Sequence, residues 1–320
     1  LDDHDLGQSD AQRDRLELDI AANRPLDLDL RGTFEGLPLA LEISGPTLTN
    51  LSPRASDFPV AAHLELADLR VELSGTASRS PSDTRLTLEV EAASSNWTFF
   101  RELEVVDPPE IGGFDVASQM TISGSKVELS DLRGAVGPTD FRGVLTLETD
   151  GLRPRLAGTL AVGTVDLAPW LDRADTTDSD AADQIPFELL SELDATLDLS
   201  IDMLAGFDHP VEDLSTSFTV ADGNLSAPLR LQLADIPLSA DVEIGNDTEL
   251  PSISTRIETR DLAVDRLRTL FDLPENLVGE LGQVTVTASS AGFTFDEVTA
   301  NLTVRIDTSD TTLTLFNRSR

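Results

Sequence analysis

Histidine is the first residue type to examine for chemistry, because its side chain can exchange a proton or bind a metal near neutral pH. The sequence contains His4, His63 and His209, and none has a second histidine at the spacing of a metal-binding helix. His63 alternates with apolar neighbours and is expected on the solvated side of a strand. Serine nucleophile elbows and phosphate-binding glycine loops are also missing. We therefore expect no enzymatic activity, no catalytic residue, no metal and no cofactor.

A dense group of carboxylates is the second candidate for chemistry. Its members are Asp172, Asp175, Asp178, Asp180 and Asp183. The composition resembles a calcium-binding loop, but the central glycine and the terminal glutamate of an EF-hand are missing. The favoured interpretation is a solvated acidic linker over residues 174–186, and specific calcium binding is the alternative.

The aromatic residues form one cluster, made of Trp97, Phe99 and Phe100 in the segment NWTFFREL. Aromatic rings near the end of a strand pair most often pack at the rim of a core. The functional alternative is a cap or gate at the edge of a binding groove.

The net charge restricts the classes of partner. The chain carries 58 acidic and 23 basic residues, a formal net charge of -35. A field of this sign repels nucleic acids and anionic membrane surfaces, so we expect no nucleic acid partner. The favoured interpretation is a solvated surface that keeps the protein in solution, and a cationic partner is the alternative. Because the sequence has no cysteine, disulfides and thiolate metal sites are excluded.

Strands are the elements that must position any site, because aliphatic and polar residues alternate along most of the chain. The longest clean run extends from Leu193 to Met203. Successive side chains of a strand point to opposite faces, so each run has one apolar and one polar face. This pattern is typical of antiparallel sheets with one solvated side. We predict a mainly β fold, with a long twisted antiparallel sheet that curls into a groove or open trough, and a few short helices.

Turn-forming residues separate the runs, at positions that include 35–36, 44–46 and 222–223. A short helix is predicted from Asp261 to Phe271, with Asp261 as its N-cap, and similar segments are predicted at 97–103 and 167–173. The segment 12–20 fits either a first helix or a first strand. Each helix follows a pair of strands, which indicates a loose internal repeat.

The apolar faces must be covered, and the sequence leaves two solutions open. A second sheet would close them, as in a sandwich or barrel. Alternatively, they line a groove that holds an apolar ligand. Such aliphatic surfaces suit acyl chains, since burying each CH₂ group contributes about 0.8 kcal/mol.

The segment from Val127 to Leu171 carries an ordered series of strand and turn motifs. These are DLRG, TDFRG, RPRLAG and DLAPWL, at residues 131–134, 139–143, 153–158 and 166–171. The series resembles the AsmA family of Gram-negative envelope proteins. The segments 185–271 and 279–315 are similar to further units of that family, and residues 1–109 fit it by their alternating pattern.

The resemblance implies a periplasmic body, anchored to the inner membrane, that holds or conducts phospholipid between the inner and outer membranes. The implied partners are phospholipid acyl chains and components of both membranes. The side chains expected to line the groove are Leu145, Leu147, Leu197, Leu199, Ile201, Leu231, Val242, Ile244, Ile257, Val286 and Val304, with Trp97, Phe99 and Phe100 at its rim. Two alternatives remain: a structural or adhesive β protein, and an envelope scaffold that influences outer-membrane protein assembly without carrying lipid.

The predicted organisation has four parts: an N-terminal β repeat region (1–109), an AsmA-like unit (110–173), the acidic linker (174–186) and further AsmA-like units (187–320). The sequence shows neither a signal peptide nor an apolar run long enough to span a membrane. We therefore expect a fragment whose anchor lies outside it.

Overall fold

A computed structural model describes residues 11–19, 25–47, 57–79, 84–97, 111–169, 187, 189–245, 250–271 and 273–315. The chain divides into two compact units, Leu1–Val144 (unit 1) and Leu145–Arg320 (unit 2). Most described residues lie in β-strands, and the helices are few and short. The predicted fold class, mainly β with largely antiparallel strands, is therefore confirmed.

Unit 1 is built from strands that pair antiparallel with their neighbours in chain order, from β1 through β8. Hairpins of this kind follow directly from short turns between alternating runs. The strands are β1 (Ala11–Asp19), β2 (Pro25–Phe34), β3 (Leu37–Thr47), β4 (Asp57–Leu66), β5 (Leu69–Arg79), β6 (Thr84–Ser94), β7 (Phe114–Ser123) and β8 (Lys126–Val136).

Strand β9 (Thr139–Glu148) carries the chain from unit 1 into unit 2. In unit 2, β11 to β17 pair antiparallel in order, β10 pairs with β11 in parallel, and β18 shares β16 with β17. The strands are β10 (Arg155–Asp166), β11 (Asp194–Ala205), β12 (Val211–Ala221), β13 (Asn224–Leu233), β14 (Ile236–Gly245), β15 (Ser252–Ala263), β16 (Leu277–Ala291), β17 (Thr303–Ser309) and β18 (Thr312–Leu315).

Two of the predicted turns form tight hairpins, and one prediction is wrong. Residues 35–36 have φ angles of 50° and 80°, and residues 222–223 have 53° and 83°. Two consecutive left-handed residues match the twist of the flanking strands. Residues 44–46, predicted as a turn, lie inside β3. They coincide with a register shift against β2, where Gly45 and Pro46 accommodate an extra residue without ending the strand.

A bulge built on aspartate occurs in each unit. Asp131 in β8 and Asp213 in β12 have φ angles of 51° and 50°, and each lies where its strand gains one residue over a neighbour. Aspartate tolerates the left-handed region better than most residues, which explains its place at both bulges. The DLRG motif therefore marks a bulge inside a strand.

The helices are α1 (Leu189–Glu192), α2 (Val264–Leu270) and α3 (Phe295–Ala300). The helix predicted from Asp261 exists as α2 but starts later, and Asp261 does not cap it. Asp261 belongs to β15 with a φ of 52°, and the N-cap is Ala263, which makes no side-chain cap hydrogen bond.

Other helix predictions are only partly covered by the structure. Of the ambiguous segment 12–20, residues 12–19 lie in a strand, β1. In the predicted helix 167–173, residues 168–169 are helical and residue 167 is not, whereas residues 170–173 and most of 97–103 lie outside the described residues. Among the described helices, none combines the length and apolar character that a membrane crossing requires.

Candidate functional site

A continuous row of cross-strand neighbours, aliphatic except for one threonine, crosses eight strands of unit 2. Cross-strand pairing joins Leu160 to Leu199, and the row continues through Thr216. From Thr216 it passes to Leu229, Ala240, Ile257, Val286 and Ile306. Directly paired residues point to the same face of a sheet, so these side chains define one surface, here called the unit 2 apolar face.

Nine of the eleven predicted groove-lining residues, those on β11 to β17, belong to this face. Each lies either in the row itself or an even number of residues along the strand from a member of it, and such side chains share a face. The nine are Leu197, Leu199, Ile201, Leu231, Val242, Ile244, Ile257, Val286 and Val304. The register therefore brings together a set that was predicted from alternation and from the family resemblance. Their burial indicates how far other parts of the chain cover them.

The unit 2 apolar face is only half-buried at its centre. None of the nine side chains is buried, and Val304 is 53% exposed. In the row, only the small Ala240 is buried, at 7% exposure. Core aliphatic residues are usually among the most completely buried in a protein. A second layer packed over the described part of this face would have buried the central leucines and isoleucines as well.

Apart from Ala240, the most completely buried apolar residues of unit 2 lie toward the ends of the strands. Ile236, Leu262 and Val264 are 2%, 5% and 2% exposed and lie at or beside α2. At the other strand ends, Phe187 and Ala195 are each 4% exposed near α1. Closed packing is therefore a property of the ends of this sheet.

Side-chain hydrogen bonds fix two helices at opposite ends of β16. At its beginning, the Arg268 guanidinium of α2 donates to the carbonyl oxygens of Glu275 and Leu277. At its end, Ser290 donates to the Val298 carbonyl oxygen of α3, and the Asn301 side chain donates to the Ala291 carbonyl oxygen over 2.9 Å. Both helices are short and attached at strand ends. The aliphatic row lies between them, in the middle of the sheet.

Unit 1 has an apolar face of the same construction, which was not predicted as a site. Its row passes through Leu30, Leu41, Leu64, Val71, Ala92 and Val116. The signal was present in the alternation of these strands. The family resemblance is strongest elsewhere in the chain, so these residues were not among those expected to bind a ligand.

Two further predicted lining residues, Leu145 and Leu147, are half-buried in β9. They are two residues apart and so share one face of that strand. In unit 2, the face also includes residues that sequence reasoning missed, notably Phe218 opposite Leu197 and Leu160 opposite Leu199. Phe218 lies in an alternating STSFTV segment, a signal that could have placed it.

The opposite face of unit 1 is strongly acidic. Cross-strand pairing lines up Asp29, Glu42, His63, Glu72 and Glu91. His63 Nε2 lies 3.3 Å from the Glu65 carboxylate, and its Nδ1 lies 3.8 Å from that of Glu72. The prediction that His63 faces the solvated side is confirmed, and the two faces of this sheet differ sharply in polarity.

Arg31 is the main counter-charge near one end of that acidic row. Its guanidinium lies 3.1 Å from both the Asp29 and the Glu42 carboxylates. Hydrogen bonding and attraction to Asp29, with a smaller contribution from Glu42, raise the pKa of Arg31 above its ordinary value. Over the part of the chain that the structure describes, no three acidic or histidine side chains are arranged to hold a metal ion.

The predicted rim residues are described only in part. Trp97 packs on Phe114 with 5.2 Å between ring centroids, whereas Phe99 and Phe100 lie outside the described residues. Next to Trp97, the Asp68 carboxylate accepts hydrogen bonds from Ser94 Oγ at 2.7 Å, Ser95 Oγ at 3.0 Å and the Asn96 backbone at 3.1 Å. This cluster ties the β4–β5 turn to the end of β6.

The structure describes only one of the other sequence candidates. His4 and the acidic cluster of residues 172–183 lie outside the described residues, and His209 is half-buried in the connection before β12. Comparison with family models, curated proteins and solved structures gave no match for this chain. The half-buried aliphatic faces are therefore the feature from which a function has to be argued.

Proposed function

We propose that the chain binds phospholipid through its apolar sheet faces and is the periplasmic part of an inner-membrane-anchored, AsmA-like lipid-transfer protein. The observation that carries the proposal is the unit 2 apolar face, which is continuous over eight strands and half-buried at its centre. A water-exposed aliphatic surface of this extent is unfavourable unless something apolar covers it. The sequence resemblance supports the choice of phospholipid and of the envelope location.

Acyl chains fit the chemistry of this face. Its side chains are mostly aliphatic, with one aromatic ring at Phe218 and neutral hydroxyls at Thr216 and Thr255, and they offer dispersion contacts without charge. Burial contributes about 0.8 kcal/mol per CH₂ group, so a fatty acyl chain gains several kcal/mol even when partly covered. The headgroup stays in water. Binding should therefore discriminate poorly between headgroups and between chains that differ by one methylene.

Salt should change this binding little. The chain has a net charge of -35, so it gains nothing from attraction to anionic headgroups. A binding mode driven by charge would weaken as the ionic strength rises, whereas burial of apolar surface does not.

Photo-crosslinking in cells tests the proposal with a control in the adjacent residue. A photoreactive amino acid at Leu199 or Val242 would lie on the unit 2 apolar face, and at Asp198 or Glu243 it would lie on the opposite face. We expect lipid adducts at the first two positions and none at the second two. Absence of lipid at all four positions, together with lipid-free protein in native mass spectrometry, would replace lipid binding by the scaffold function.

A further inference from the structure

Strand β17 has an edge to which no described strand is paired. Its inner edge pairs with β16 from Thr303 to Ser309 without a register shift. All seven residues are exposed, including Val304 at 53% and Ile306 at 65%. Proteins usually protect such edges with charged side chains, above all lysine, or with a proline, a bulge or a covering element, because free N–H and C=O groups accept further strands. Neither lysine nor proline occurs in the β17 sequence TVRIDTS.

The charges of β17 have no counterpart on the neighbouring strand. Arg305 and Asp307 lie on the polar face, where their partners on β16 are the neutral Thr287 and Thr285. Among the described residues they pair with each other, with distances of 2.8 and 3.1 Å from the guanidinium to the carboxylate. On the interior strand β15, Arg256 likewise pairs with Glu258 of its own strand, but it also lies directly opposite the acidic Asp241 of β14.

The sequence of β17 is complementary to itself when two copies run antiparallel about Ile306. Ile306 then lies opposite Ile306 of the second copy, and Val304 lies opposite Thr308. Arg305 lies opposite Asp307 on both sides of the twofold axis. Centring the pair on Arg305 or on Asp307 instead would place like charges opposite each other, which is destabilising. A slip by one residue would set the apolar face of one copy against the polar face of the other.

We propose that β17 is a docking edge for β17 of a second copy, in an antiparallel, twofold-symmetric pair centred on Ile306. The two-fold axis makes the same patch serve both copies, as in most homodimers. Since cross-strand neighbours share a face, the aliphatic row would continue from Val286 and Ile306 of one copy into Ile306 and Val286 of the other. The pairing itself does not depend on lipid binding, whereas a joined apolar surface would extend the proposed function. A seven-residue strand pair buries little area, so the dimer should be weak and concentration-dependent.

Charge reversal and charge exchange test the pairing. Asp307→Arg would place arginines opposite arginines, and Arg305→Asp would place aspartates opposite aspartates. We expect each to weaken dimerisation about tenfold or more, since two favourable cross-strand pairs become unfavourable. The double variant Arg305→Asp with Asp307→Arg restores opposite charges across the axis and should restore the dimer. Glu258→Arg, on the interior strand β15, is the matched control and should leave it unchanged.

Analytical ultracentrifugation of the full chain measures these effects over about 1 µM to 1 mM, the range of weak complexes. A wild-type chain that stays monomeric throughout would overturn the proposal. So would dimerisation that survives a single reversal, or a double variant that folds by circular dichroism without dimerising.

A single cysteine tests the register independently, because the natural chain has none. Ile306→Cys would face itself across the axis, at a Cα separation of about 4.5–5.5 Å that suits a disulfide. Thr303→Cys would face Ser309 and should not cross-link, and equal cross-linking of the two variants would overturn the register. Native mass spectrometry of Asp307→Arg separates the two proposals: retained lipid with lost dimer is expected, and a lipid-free dimer of the wild type would contradict the lipid function alone.

Discussion

The apolar faces of the two units differ in the burial of one central leucine, although the rows that define both faces are mostly half-buried. In unit 1, Leu88 lies in the middle of β6 between Gly75 and Met120 and is 5% exposed. Gly75 allows this close packing, since a Cβ there would lie 2.0 Å from the Thr87 carbonyl oxygen. In unit 2, Leu199 occupies the middle of β11 between Leu160 and Thr216 and is only half-buried.

One alternating pattern can therefore give two kinds of surface. A buried central leucine contributes to stability, whereas a half-buried one leaves area that a ligand can cover. Substitutions at Leu88 should therefore mainly reduce the stability of the fold, whereas substitutions at Leu199 should mainly reduce ligand binding.

The largest expected effect is the loss of stability in Leu88→Asp. Burying a carboxylate without a partner among apolar neighbours should lower the free energy of unfolding by about 4 kcal/mol or more. Leu199→Asp should lower it by about 1–2 kcal/mol, because its side chain can turn part of its surface to water. Urea unfolding followed by circular dichroism compares the two. Equal losses would show that both faces are closed to the same extent.

Lipid binding should respond in the reverse order. Leu199→Asp or Val242→Asp should reduce bound lipid several-fold in native mass spectrometry, because a charge on the unit 2 apolar face must be desolvated by the acyl chain. Asp198→Asn, on the opposite face, is the control and should carry the wild-type amount. Normal lipid content in both apolar-face variants would contradict the assignment of this face.

A smaller, pH-dependent effect is expected at Asp68. Partial burial would raise the pKa of its carboxyl, but hydrogen bonds from Ser94, Ser95 and the backbone outweigh it, and the net pKa is below the ordinary 3.8. The unfolded chain thus binds the proton more tightly, so these hydrogen bonds stabilise the fold above about pH 4 and are lost as the pH falls through the lowered pKa.

The variant Asp68→Ala should cost about 1–2 kcal/mol of unfolding free energy at pH 7 and less below pH 4, where the wild type loses the same contribution. Unfolding curves at several pH values measure the difference. Asp140→Ala, at an exposed position of β9, provides the comparison. A stability difference that does not shrink in acid would argue against the carboxylate as its source.

The smallest effect is expected from the histidines. Replacing His4, His63 and His209 together by alanine should leave lipid content unchanged and alter stability by at most about 0.5 kcal/mol, since the ion pairs of His63 lie at the surface. Native mass spectrometry and thermal unfolding test this. A folded triple variant that no longer carries lipid would reveal a role that neither spacing nor geometry indicates.

Alternation was sufficient to predict the strands and the face of each side chain, because both depend on the local period of two. It selected Leu199, Val242 and Val286 correctly as members of one face, although they come from three strands far apart in the sequence. Local rules failed where pairing overrides them. Gly45 and Pro46 look like a turn, yet the partner strand β2 continues the sheet past them.

Other features could not be derived because they depend on long-range geometry. Aspartate is a favoured N-cap residue, but Asp261 has a left-handed φ of 52° and belongs to β15. The helix therefore starts later, at Val264. The difference in burial between Leu88 and Leu199 has no local signal, since both sit in equivalent alternating runs. Burial is decided by what packs over a strand, and periodicity does not encode that.

The parallel pair β10–β11 has a consequence for how the chain acquires its structure. Apart from β18, which pairs with β16 beyond β17, the other described partnerships of β11 to β17 join strands that are consecutive in the sequence, so hairpins can form as the polypeptide emerges from the ribosome. Strand β10 must instead wait until residues 167–193 and then β11 have been synthesised before the two can align in the same direction. Joining these two strands is thus the slow, non-local event, and it separates co-translational folding into an early and a late phase.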